Sequence, residues 1–514
     1  MKPIRLVRGF LTVGLWTLLS RVVGFVRDVM IANYLGAGPV AEAFLIAQSL
    51  PNMFRRFFAE GAFNMAFVPM FAKKLEGGED AEGFARDAYW GMAGLLTVFS
   101  VVGHFAMPLL VLAMASGFAG DERFGLAVVL GQIAFPYILF ISLTALLSGV
   151  LNAMGRFFAT AVVPVVMNIF LVGAMVAAVR FGWDLGRTLA WSVTASGVLQ
   201  LLFIWAVLRH SGFRIPFRWP RLTPELKRLA IIAAPAVLAG GVVQINLIVG
   251  RQVASFTEGA VAWLTYADRL YQLPLGVVGI AIGVVLLPDL SRRLRAGDVA
   301  GGRESFNRGA EFAMFLTLPA AVALSVIALP IITVLFERGA FTASDSQQTA
   351  LALAIYSLGL PAFVLHKALQ PLYYAREDTR RPFLFAVVSM VVNIVAAVGL
   401  VPWFGFLAAA AGTTISSWVM VWQLWRGTRD MGDAATLDSR FRRRVPRIIV
   451  ASAVMGVVLW GMTALFGDAL SQPGQRTVAL AATVVLGMAV YFGTVLVIGG
   501  MSWAELRAAI RRQR

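Results

Sequence analysis

Runs of apolar residues long enough to cross a bilayer recur from one end of the chain to the other, separated by short polar stretches. A crossing helix needs about 20 predominantly apolar residues. Such segments lie at 8–33, 40–64, 88–112, 126–151, 160–179, 188–208, 230–250, 260–287, 309–334, 347–371, 383–401, 404–424, 447–466 and 478–499. The pattern predicts an all-α polytopic membrane protein with fourteen transmembrane helices. Composition agrees, because only 14% of the 514 residues are charged, against about one quarter in soluble domains.

A net charge of +17 would suggest nucleic acid in a soluble protein. Here the positive-inside rule accounts for it and no nucleic-acid partner is expected. With both termini in the cytoplasm, most of the 44 Lys and Arg residues fall in inner loops and tails, notably 209–228, 292–308, 426–447 and the tail Arg507, Arg511, Arg512 and Arg514. Such clusters attract anionic membrane lipids at about 1 kcal/mol per residue. The first apolar run lacks a small-residue cleavage site and is read as a retained helix. The absence of cysteine excludes disulfides and thiolate metal sites.

Thr223 and Pro224 predict the start of a short interfacial helix at 216–229, joining an N-terminal lobe at 1–215 to a C-terminal lobe at 230–430. Residues 431–514 then hold two further helices and a basic cytoplasmic tail. Pro136 and Pro361 are 225 residues apart, as are Asn168 and Asn393, which is the spacing expected of two pseudo-symmetric six-helix lobes.

Charge within the spans is confined to few positions. An isolated ion at the centre of a membrane helix costs roughly 2.5–3.5 kcal/mol on insertion scales, so it should face protein or a water-filled cavity. In Ser20-Arg21-Val22-Val23-Gly24-Phe25-Val26-Arg27-Asp28, helical geometry puts Arg21, Gly24 and Asp28 on one face with Arg27 at its shoulder. An internal Arg21–Asp28 pair is the plainer alternative. The second span begins with Glu42 and runs to Arg55, Arg56, Glu60 and Asn64; the eighth carries Asp268 and Arg269. Arg55 and Arg56 could instead mark the inner end of a shorter helix, and Lys367 could snorkel. If the halves correspond, these charges would meet in a net-positive cavity. Guanidinium groups match phosphate oxygens, so a diphosphate is the expected ligand.

Enzyme constellations are poor. The three histidines, His104, His210 and His366, have no metal-clasping spacing. Neither a Walker A loop nor a dinucleotide fingerprint is present. A transporter without nucleotide hydrolysis is expected, driven by an ion gradient or by membrane potential, which supplies about 2.3 kcal/mol per charge per 100 mV.

The chain resembles the MurJ-type (MviN) lipid II flippases of the multidrug/oligosaccharidyl-lipid/polysaccharide exporter superfamily. The resemblance rests on the Ser20–Asp28 string, on Leu50–Phe63 with Phe67-Val68-Pro69, on Tyr266-Ala267-Asp268-Arg269-Leu270 and on Phe336-Glu337-Arg338-Gly339-Ala340-Phe341. It implies alternating access that carries undecaprenyl-diphosphate-linked disaccharide pentapeptide to the periplasmic leaflet of the bacterial inner membrane for peptidoglycan synthesis. It implies a substrate site of Arg21, Arg27, Asp28, Glu42, Arg55, Arg56 and Arg269, with the lipid tail against the last two helices. Contacts with cell-wall synthesis or division proteins are possible partners of such a flippase. Some relatives hold sodium with aspartates beside an Asn and a Thr. Here Asn393 and Thr413 remain, but Gly250 and Ala397 stand where carboxylates would be needed. No cofactor is expected, and membrane potential or protons are the expected energy source. The rival readings are an exporter of another polyprenyl-diphosphate-linked oligosaccharide, a membrane glycosyltransferase and a division scaffold.

Overall fold

The computed structural model describes residues 3–56, 62–472 and 474–501, and all regular structure among them is helical. The helices, in chain order, are α1 (Pro3–Leu35), α2 (Pro39–Arg55), α3 (Ala62–Glu76), α4 (Ala81–Phe105), α5 (Met107–Ala115), α6 (Glu122–Ala134), α7 (Tyr137–Ala153), α8 (Phe157–Phe181), α9 (Leu185–His210) and α10 (Pro224–Ser255). They continue with α11 (Ala260–Arg295), α12 (Val299–Val326), α13 (Ala328–Phe336), α14 (Ala343–Tyr374), α15 (Arg380–Gly399), α16 (Val401–Phe404), α17 (Leu407–Gly427), α18 (Ser439–Leu465), α19 (Gly467–Ser471) and α20 (Arg476–Val497). Among the described residues, nine helical segments are long and apolar enough to cross a membrane. The chain is a multi-pass membrane protein. The tail arginines from Arg507 onward and Glu60 lie outside the described residues, as does the Asn64 side chain.

Helix starts follow local chemistry. Asp80, Asp121, Asp184, Asp298 and Asp438 each accept a backbone N–H of the first turn that follows, which satisfies one of the orphan donors of a helix N-terminus. Breaks follow proline. The predicted third span divides at Ala106 into α4 and α5, where Pro108 in the first turn of α5 has no N–H to continue the ladder. Pro136 caps α7, whereas Pro361 lies inside the unbroken α14. The two prolines of the 225-residue spacing therefore do different jobs. Thr223 caps a helix as expected, accepting from the Leu226 N–H at 3.3 Å. That helix does not stop at 229: it is the first turn of the 32-residue α10, which runs on past Pro235. Residues 213–222 before it are not helical.

The chain forms two compact units, residues 1–262 and 263–514. In the first, α1 packs on α8, α2 on α6, α7 and α8 on α9, and α3 on α7 and α10. Lys74 of α3 pairs with Glu225 of α10 at 2.7 Å. At the other end of α10, Gln252 donates to the carbonyls of Leu112 and Ala113 and accepts from the Ser116 N–H at 2.8 Å. In the second unit, α14 packs on α12 and α17, α15 on α17, and α18 on α12 and α20. One core joins Leu286, Leu290, Phe306, Leu372, Tyr373 and Leu424; another joins Phe315, Ile448, Met455, Leu459 and Tyr491, fastening the C-terminal helices. The buried hydroxyls of Tyr373 and Tyr491 donate to the Leu424 and Phe315 carbonyls, both at 2.6 Å.

Candidate functional site

The Ser20–Asp28 stretch lies within α1, where its charges separate by depth of burial. Arg21 is exposed. Arg27 and Asp28 are each 7% exposed. Asp28 takes its ion pair from its neighbour Arg27, whose Nε and Nη2 donate to Oδ1 at 3.0 and 2.7 Å. The internal Arg21–Asp28 pairing is not formed: seven residues of helix put about 10 Å of rise between them, while the long Arg27 side chain folds back onto the next residue. The third guanidinium nitrogen, Nη1, donates to Asn168 Oδ1 of α8 at 2.8 Å.

Glu42 lies in the first turn of α2, where a carboxylate suits the helix dipole. It is fully buried. Its partner is Arg123 of α6, whose Nη1 donates to it at 3.0 Å, and it also accepts the Val261 N–H at the start of α11 at 3.0 Å. The structure thus places Glu42 with Arg123 rather than with Arg21 and Arg27. Arg123 is 6% exposed. It also donates from Nε and Nη2 to Asp121 at 2.8 and 2.6 Å, and its guanidinium lies 4.4 Å from the Phe118 ring centroid. Its hydrogen bond to Asp121 holds that carboxyl below the usual aspartate range. The sequence signal for Arg123 is its place in Asp121-Glu122-Arg123 at a helix start.

α2 ends at Arg55, half-buried, with Arg56 exposed at the cap, where cations complement a helix C-terminus. Arg269 is exposed on α11 in the second unit, and beside it Asp268 accepts from Gln272. Tyr266 is buried against Phe336 and Phe341, with ring centroids 5.3 and 5.6 Å away. Two of the motif strings are therefore halves of one aromatic contact. Trp263 donates to Asp345 at 2.8 Å, and Asp345 closes a capping box with Thr342 at the start of α14.

Among the described residues, no group of three or more His, Cys, Asp or Glu side chains gathers as a metal site. Asn393 is buried on α15, and Thr413 donates to its own helix at the Ala409 carbonyl.

The family model described as lipid II flippase MurJ matches residues 31–472. A probable lipid II flippase MurJ of Rhizobium tropici is 44% identical over 519 aligned residues, covering 99% of this chain and 97% of that protein. Among solved structures, a lipid II flippase MurJ in an inward closed conformation superposes with a TM-score of 0.80 at 25% identity, covering 94% of this chain and 98% of that one. An inward-facing multidrug transporter of the MATE family and MOP superfamily gives 0.70 at 15% identity over 81% of this chain and 96% of its own, a likeness of fold. By extent of match and identity together, the chain belongs to the lipid II flippase MurJ family.

Proposed function

We propose that the protein is a lipid II flippase, carrying the undecaprenyl-diphosphate-linked disaccharide pentapeptide from the cytoplasmic to the periplasmic leaflet by alternating access. The observation that carries this reading is membership of the family along 99% of the chain, joined to an exposed arginine held midway along a membrane helix. In this reading Arg21, Arg27, Arg55, Arg56 and Arg269 are the groups that neutralise the diphosphate. Asp28 orients Arg27, as its two hydrogen bonds support. Glu42 acts at one remove, through Arg123. Release requires that the grip weaken in the outward state, since a ligand held equally in both states shifts neither.

The protein is a transporter serving peptidoglycan synthesis, not an enzyme. We place it in the cytoplasmic membrane with both termini inside, its basic loops against anionic lipid, driven by membrane potential or protons and open to contact with cell-wall synthesis or division proteins. Arg21→Ala should insert normally and lose lipid II translocation in sealed vesicles. Translocation at the wild-type rate by that variant would overturn the reading.

A further inference from the structure

Asn168 attracts notice in the sequence only through its spacing from Asn393. In the structure it is a buried polar side chain, 7% exposed, on the face of α8 that packs against α1. Its carboxamide bonds in two directions. Oδ1 accepts from Arg27 Nη1 at 2.8 Å, while Nδ2 donates to the Ser20 carbonyl at 3.1 Å and to Ser20 Oγ at 3.4 Å. The bonds to Ser20 fix the amide orientation, so that its oxygen, not its nitrogen, meets the arginine. Gly24 leaves room for the carboxamide: a Cβ there would stand 3.2 Å from Nδ2, so the amide would have to give by a few tenths of an ångström.

Arg27 is consequently held along two edges, by Asp28 at Nε and Nη2 and by Asn168 at Nη1. A guanidinium carries five N–H donors, and these bonds leave one on Nη1 and one on Nη2. A free arginine side chain loses rotamer entropy when immobilised, and ordering it before the ligand arrives removes that loss from binding. Asn168 does this without adding charge. A carboxylate in its place would hold the arginine equally well while cancelling its attraction for an anion.

We infer that Asn168 is a positioning residue for diphosphate recognition: its neutral carboxamide fixes Arg27 in the orientation that presents two remaining N–H groups to the phosphate oxygens of a lipid-linked diphosphate. The inference rests on the proposed reading of Arg27 as a phosphate-binding group.

The test uses full-length protein, farnesyl diphosphate as a soluble probe for binding, and lipid II in sealed vesicles for transport. Asn168→Ala should weaken farnesyl diphosphate binding about tenfold, near 1.4 kcal/mol, and raise the KM for lipid II with kcat nearly unchanged. Asn168→Asp retains the acceptor for Arg27 yet should bind more weakly still, and with a shallower dependence on salt. A purely structural role makes the opposite prediction, wild-type binding by Asn168→Asp. Gly24→Ala, which presses on the carboxamide from α1, should reproduce the rise in KM if the alanine variant proves too unstable to purify. If Arg27→Ala binds the probe as wild type does, the phosphate-grip reading itself fails. If Arg27→Ala loses binding while Asn168→Asp and Gly24→Ala bind as wild type, the role of Asn168 alone is overturned.

Discussion

Glu42 and Arg123 show how a single contact redistributes roles. The sequence offers Glu42 as an acid near several membrane-embedded arginines, and any of them could have been its partner. Its actual partner comes from a turn 81 residues away, a distance that helical periodicity cannot bridge. Removing one member of a buried ion pair typically costs about 3–5 kcal/mol, because the other charge is left without compensation. Arg123→Gln should therefore lower the melting temperature of the purified protein markedly, and Glu42→Gln in the same background should recover part of the loss. Losses that simply add, the double variant falling by the sum of the two single variants, would show that the pair is not coupled.

The neighbouring Asp121 carries a pH signature. Its carboxyl titrates below its ordinary value because of Arg123, so its contribution is fully present above the unfolded value of about 3.9. That contribution is lost as pH falls through the lower, folded value. Stability should show no Asp121-linked loss down to about pH 4 and fall below it, with Asp121→Asn flattening that fall in a thermal-shift titration. A decline linked to Asp121 that begins near neutrality would contradict this assignment.

At the scale of elements, the sequence was legible where chemistry is local. The apolar runs marked where long helices lie, and Thr223 marked a helix start. Continuity was less legible: Thr223 opens a full-length helix rather than a short interfacial one. Hydropathy averages over the few residues where backbone geometry is decided. Docking of α10 was invisible as well, since Gln252 and Ser255 look like ordinary helix-end polar residues until the turn after α5 is brought against them. Ser255 Oγ accepts the Gly117 N–H at 2.9 Å, and a Cβ at Gly117 would lie 2.5 Å from the backbone of Ser255 and Phe256. Gly117→Ala must push that backbone away. It should increase hydrogen exchange around 250–257 while α8 and α9 keep their protection; unchanged exchange there would mean that the loop yields at no cost.

For the whole molecule, the all-helical membrane fold and the family were legible because both rest on patterns spread along the chain. The candidate site was legible only in its residue types. Burial of Arg27, exposure of Arg21, and the parts played by Asn168 and Arg123 all depend on which helices become neighbours, and a 225-residue spacing marked Asn168 without saying what it touches. Assembly order leaves its own trace in the second unit. Glu311 of α12 gathers Arg308 of its own helix together with Arg440 and Arg444 of α18, the last 133 residues further along the chain. At a synthesis rate of about 5–20 residues per second, that carboxylate waits on the order of ten seconds on the ribosome with only its own helix to serve it. On α18, Arg440 and Arg444 therefore dock on a carboxylate that α12 presents well before them, so a chain stopped short of α18 should leave Glu311 open to premature partners.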